Sequence, residues 1–410
     1  MTPMNKVVFW LKGLAVSTVL LCAVTEAHGP MKHEHEAAPR SQFPAPADMG
    51  SSVGADAQGR LWLASKASTA DGDYLMLQTS DDEGRTWSVP RPASHETIVA
   101  SGDERPRIAF GARGQVYVSY SRPLAKPYTS ELRFIRSEDG RHFSAPFTVH
   151  KNADIITHGF GAMVVDGVGD IYIAWIDKRD QQAARNSGAP YAGAAQYYAV
   201  SRDGGATFQG DYKIADHSCE CCRSAMSLNA KGQPMLLWRH VFAPNIRDHA
   251  LLALTPDGKL AAPERASFDN WSIDACPHQG PALAYGPDGR RHQTWFTGVE
   301  NGGGVYYATE NRDGALGVPM RLGSEQASHA DVAVKGRHVA LAWKEFDGKT
   351  TSIKGSNSYD GGATWHAATL AETAGASDQP RLVVTPHGIV LVWRTRENGT
   401  VTVSMPKERA

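Results

Sequence analysis

Ser80-Asp81-Asp82-Glu83-Gly84-Arg85-Thr86-Trp87 returns as Ser201-Arg202-Asp203-Gly204-Gly205-Ala206-Thr207-Phe208 and again as Ser358-Tyr359-Asp360-Gly361-Gly362-Ala363-Thr364-Trp365. The octapeptide has the chemistry of a tight turn. Its aspartate can accept from turn N–H groups, its glycine can take positive φ, and its aromatic can plug the core beneath. Ser137-Glu138-Asp139-Gly140 is a shortened copy, while Thr255-Pro256-Asp257-Gly258 and Asn311-Arg312-Asp313-Gly314 are degenerate ones.

Outward from these turns a larger period emerges. A glycine in a hairpin is followed six residues later by the end of an alternating strand at Ser65, Tyr120, Trp175, Trp238 and Trp295, with looser copies ending at Trp343 and Trp393. These ends are 55, 55, 63, 57, 48 and 50 residues apart, a period that suits the blade of a β-propeller. Alternation such as Val116-Tyr117-Val118-Ser119-Tyr120 fits a strand packed between neighbouring blades. The second copy predicts four strands at Arg107–Phe110, Gln115–Arg122, Glu131–Arg136 and Ala145–Val149. The expectation is an all-β, seven-bladed propeller of four-stranded antiparallel blades, with six blades as the alternative. The last copy stops after Val401–Ser404, so a segment near the N-terminus is expected to close the ring.

With its three full turns, the chain resembles the Asp-box (BNR-repeat) proteins of the sialidase superfamily over nearly everything from Met49 onward. The resemblance implies that the boxes are structural and lie on the face away from an active site. It also implies the chemistry of an exo-sialidase, in which three arginines clamp a carboxylate and a Tyr–Glu nucleophile works with an Asp acid/base. The family's early Phe-Arg-Ile-Pro motif is absent, since the first repeat opens Met49-Gly50-Ser51-Ser52. Arg105-Pro106-Arg107-Ile108 and Pro380-Arg381-Leu382 are read as repeat consensus. Arg223, Arg239 and Arg394 are better placed for a clamp, and no Tyr–Glu pair stands out.

In 410 residues, 42 Lys+Arg balance 43 Asp+Glu and no basic run occurs, which argues against nucleic acid or an anionic membrane surface as partner. Residues 1–27 carry Lys6 and Lys12 before the apolar run Gly13–Val24 and small-residue end, as a secretory signal does. Export to the periplasm or medium is expected, with His28 as the new N-terminus and no membrane span left. Cys22, preceded by Leu20-Leu21, is a weaker lipoprotein alternative. Residues 28–48 form a His/Pro-rich leader whose His28, Met31, His33 and His35 could collect copper, zinc or nickel. The propeller, residues 49–410, is expected to be a monomer.

Chemistry concentrates in His217-Ser218-Cys219-Glu220-Cys221-Cys222-Arg223 and in Cys276-Pro277-His278. Counting 17 residues back from the strand ends superposes Asp103, His158, Cys221 and His278, and counting 19 superposes Cys219 on Cys276. Equivalent pre-strand positions ring the mouth of a propeller channel, where His329 also falls close by. Lys178, Arg179, His240, Lys344 and Glu345 join Arg239 and Arg394 on the loops of that face. A polar mouth of this kind is expected to take a metal ion, a small molecule or a glycan.

Three fates are open to the thiols. One or two disulfides could join Cys219 or Cys222 to Cys276, as export favours. A soft metal, Cu(I) or less well Zn(II), could be held by His158, Cys219, Cys221, Cys222, Cys276 and His278, with His217 as an accessory ligand. Cys-x-Cys-Cys resembles copper motifs of some periplasmic copper-handling proteins over these residues alone. A strained Cys221–Cys222 bridge could be redox-active. The metal site leads, with the sialidase-type hydrolase and a non-catalytic recognition propeller as alternatives.

Overall fold

The computed structural model describes residues 49–311 and 314–406. The signal, the leader and Cys22 lie outside them. Among the described residues twenty-seven strands form seven antiparallel sheets, six with four strands and the last with three. Their first strands begin at Ser52, Arg107, His158, Ala225, Ala282, Ser328 and Arg381. Each touches the next, and the seventh touches the first, so these strands line a closed ring around an axis. The seven-bladed expectation holds, with Arg381–Thr385, Gly388–Thr395 and Gly399–Ser404 inside the ring as blade 7.

The period works because each repeat pairs its first two strands in one register. Ser52, Arg107, Ala162, Ala225, Ala282, Asp331 and Arg381 each lie opposite the residue just before a strand-end anchor. Trp175, Trp238, Trp295 and Trp393 are almost fully buried there. Apolar clusters fill every seam between successive blades, for example Phe134 of blade 2 with Ile171 and Trp175 of blade 3. Because every blade needs a neighbour to bury its faces, stability is a property of the closed ring.

Within blade 2 the observed strands are Arg107–Phe110, Val116–Pro123, Ser130–Ser137 and Phe147–Thr148, within one to two residues of expectation. The octapeptide turns share one geometry. Asp82, Asp203 and Asp360 accept from the backbone N–H of Thr86, Thr207 and Thr364, each at 2.9 Å. The preceding serines accept from Gly84, Gly205 and Gly362 at 2.8 Å. The aromatics close seams instead of plugging their own sheets: Phe208 of blade 3 meets Phe134 of blade 2, and Trp365 of blade 6 meets Tyr307 of blade 5.

Among the described residues blade 7 has three strands, and its first strand packs on that of blade 1, where Asp378 accepts from the Ser51 N–H at 2.7 Å; a closing strand from residues before Met49 lies outside the described residues. The third repeat also contains an α-helix, Arg179–Ser187, which accounts for the longest anchor spacing. Its run of Gln, Ala and Arg has good helix propensity, and Gly188 ends it at φ 72° with N–H groups returned to the last turn. No helix among the described residues is long and apolar enough to cross a membrane.

Candidate metal centre

The link from the outer strand of blade 3 (Gln209–Ser218) to the inner strand of blade 4 (Ala225–Leu228) is the six-residue turn that carries the thiols. Ser218 bridges to His240, and the Cys219 N–H donates to the Arg239 carbonyl at 3.0 Å. The side chain of Glu220 is held outward: Lys178 meets it at 2.6 Å and Gln181 of the helix donates to it at 2.8 Å. With Glu220 fixed, the flanking cysteines turn inward, and Cys219, Cys221 and Cys222 are 2%, 6% and 2% exposed.

Their sulfurs converge. Cys219 Sγ lies 2.9 Å from Cys222 Sγ and 3.8 Å from Cys221 Sγ, and all three fall within 4.8 Å of one another. Phe160 of blade 3 packs on the trio. Cys276 arrives from the link between blades 4 and 5 and is exposed, and the Cys221 thiol nearby holds its thiol below the usual value. None of the four is in a disulfide. Hydrogen bonding with Cys221 and then with Cys222 holds the Cys219 thiol well below its usual value. Donation to Cys219 pushes Cys221 up, and burial pushes Cys222 up. The trio therefore concentrates negative charge on Cys219.

The imidazoles stand apart from this cluster. His158 is fully buried, its Nδ1 donates to Asp177 Oδ2 at 2.9 Å, and its ring stacks on His150 at 3.9 Å. Trp175 and Arg179 hold the same carboxylate. His278 is exposed, and its carbonyl accepts from His329 Nε2 at 3.2 Å. His217 rests on the ring of Tyr191 and bonds the Ala192 backbone. None of these three joins the group of possible ligands around the sulfurs. His28, His33 and His35 lie outside the described residues.

Two of the three candidate clamp arginines have internal partners. Arg239 donates to the carbonyls of Arg247, Gln279 and Phe296 at 2.8, 3.1 and 2.7 Å and lies over Trp271. Arg223 reaches across the axis to Asp103 of blade 2 at 2.9 Å, and also meets Gln379 of blade 7 at 3.2 Å. Gln379 in turn donates to Asp103 at 3.0 Å, and Arg105 donates to Gln379. These buried groups tie blades 2, 4 and 7 together at the channel mouth. Arg394 is half-buried, and burial lowers its pKa against the pull of Asp378.

Phe160, Gln379 and the bracing pair Gln181–Glu220 were not singled out by sequence reasoning. A signal for the first existed: Arg105, Phe160 and Arg223 all lie 15 residues before an anchor, the level at which side chains meet across the axis. Nothing in the periodicity marks Gln181, because the helix is an insertion in the repeat.

No protein-family model matches the chain, and no curated protein does. Solved structures do resemble it. An ulvan lyase from a new family of polysaccharide lyases is 12% identical with a TM-score of 0.57, over 88% of this chain and 95% of its own. The polysaccharide lyase Uly1 is 8% identical with a TM-score of 0.53, over 91% and 94%. A protein of unknown function from Dyadobacter fermentans is 16% identical with a TM-score of 0.52, over 76% and 98%. At such identities the likeness is one of fold.

Proposed function

We propose that this chain is an exported, sialidase-like propeller of the Asp-box kind that binds a soft, thiophilic metal ion, Cu(I), at Cys219, Cys221 and Cys222. The observation that carries the reading is the convergence of three buried, unpaired sulfurs within 4.8 Å. Three thiolates with no imidazole or carboxylate among them suit a soft monovalent ion that accepts low coordination numbers, better than Zn(II), which prefers a four-ligand shell. Cys276, exposed and near Cys221, is the sulfur through which a metal reaches the buried trio. The hydrolase alternative is less well supported, because Arg223 and Arg239 already hold internal partners.

The test is anaerobic titration of the exported, tag-free protein with Cu(I) against a chromophoric Cu(I) chelator, alongside a free-thiol count. About one equivalent should be withheld from the chelator, and Cys222→Ser should lose at least tenfold in affinity while keeping the wild-type circular dichroism spectrum. A folded protein with four titratable thiols that withholds no Cu(I) would overturn the reading. Four thiols blocked as disulfides in exported protein would replace it with structural bridges.

A further inference from the structure

Four guanidinium groups approach the axis just inside the thiol-bearing face: Arg105 and Arg107 of blade 2, Arg223 of blade 4 and Arg381 of blade 7. The carboxylates that face them are fewer. Asp103 takes Arg223, Asp331 takes Arg381 at 3.4 Å while accepting from the Leu382 N–H, and Asp378 accepts from Ser51 and lies near Arg105. Four charges against three leaves one in excess. The remainder falls on Arg107, whose Nε donates to the Gly161 carbonyl and which has no carboxylate partner among the described residues.

The unmet donors are specific atoms. Arg107 Nη2 and Arg381 Nε are buried and have no hydrogen-bond partner among the described residues. Both side chains line a cavity of about 330 Å³ on the axis, whose walls include Arg223, Asp331 and the small residues Ala162 and Ala225. Burial, reinforced by repulsion from the neighbouring arginines, pushes Arg105 down to about 9 and Arg107 well below its usual value. A partly buried cation without a counter-charge favours an anion placed beside it. A guanidinium fork is also shaped for oxygen atoms set two to a group.

We infer that the axial cavity is a binding site for a small inorganic oxyanion of the sulfate or phosphate type, held by Arg107 and Arg381 from opposite sides of the ring closure. The cavity exceeds such an ion in volume, so the ion sits against the two guanidinium groups with water filling the rest. The site is independent of the thiols, which lie on the loops beyond the Asp103–Arg223 tie. Its occupant neutralises the excess charge and links blade 2 to blade 7 across blade 1, so binding should read out as stability of the whole ring.

The experiment is thermal unfolding of the full exported protein in sulfate, phosphate or chloride at matched ionic strength, with isothermal calorimetry for the same ions. Sulfate or phosphate should raise the midpoint by several degrees over chloride, in a saturable manner. Arg107→Met should abolish the response, and its midpoint in chloride should equal or exceed that of the wild type, since an uncompensated buried charge has been removed. Should Arg107→Met not fold, Arg381→Gln decides: it must weaken the oxyanion response at least tenfold in apparent affinity. An equal midpoint in all three salts for the wild type would overturn the proposal, as would an undiminished response in either variant.

Discussion

Removing Asp103 tests whether the polar tie across the channel mouth holds the ring together. Its carboxylate meets the Arg223 guanidinium at 2.9 Å, and the two side chains are only 1% and 3% exposed. Asp103→Leu would leave Arg223 buried with a carbonyl and an amide for partners, so the loss should approach the 3–5 kcal/mol typical of breaking a buried pair. Taking roughly 2.1 cal/mol/K of unfolding entropy per residue over a ring of about 360 residues, 4 kcal/mol lowers the midpoint by about 5 °C. Arg223→Met should be comparably damaging, because Asp103 is then the stranded charge. The double variant Asp103→Leu/Arg223→Met strands neither charge and should cost less than the two single losses added together, by a coupling of about 3 kcal/mol. Urea unfolding followed by tryptophan fluorescence, under conditions shown to be reversible, supplies the four free energies of the cycle. Single variants within 1 kcal/mol of wild type, or a double variant no better than the sum of the singles, would refute the idea that this pair is a structural tie.

Other perturbations probe the seams and the turns. His292 is 1% exposed against the Tyr307 hydroxyl, and burial pushes it down to about 4. The unfolded chain takes up that proton first, near pH 6.5, so this contribution to stability is complete above pH 6.5. About 3 kcal/mol of it is lost as the pH falls to 4, and His292→Gln should flatten that part of a stability-versus-pH curve. Gly205→Ala would put a methyl 2.7 Å from the Phe134 ring at φ 81°, whereas Gly232→Ala at φ 76° meets nothing within 4 Å. The first should cost about 2–3 kcal/mol by denaturant unfolding and the second about 1.

The fold was legible because a propeller repeats one local problem seven times. Each hairpin glycine, each buried strand end such as Trp238, and each turn such as Ser201–Phe208 reports the same blade. What was not legible is whatever one repeat does alone. The helix Arg179–Ser187 left only a longer spacing behind, because it is an insertion in one repeat. Anchor counting brought Cys221 and Asp103 to the channel mouth, and it placed His158 at the same level. Yet level does not fix direction. In blade 3 the inner strand starts at His158 and zips onto the second strand across a bulge between Ala174 and Ile176, pairing His158 with Asp177. In blades 4 and 5 the inner strands begin only at Ala225 and Ala282. The equivalent residues Cys221 and His278 are therefore free of the sheet, and the thiols can gather where the imidazole cannot.

Arg239 shows why residue type at a channel mouth is a poor guide to role. A guanidinium there reads as a clamp for a carboxylate, and sequence spacing offers nothing against it. In the folded chain its Nη1 and Nη2 groups satisfy the carbonyls of Arg247, Gln279 and Phe296, while its own carbonyl accepts the Cys219 N–H. Turning it toward a ligand would strand those three carbonyl oxygens in a dry seam at about 1–3 kcal/mol each, more than a single charged contact returns. Gln279 follows Cys276 by three residues, and Cys219 opens the thiol turn, so the same residue fixes both cysteine-bearing links against blade 5. The positive charge it brings beside Cys219 also favours the thiolate. An arginine that organises the two links in this way acts on the thiol site through geometry and field together, with no contact to a substrate required.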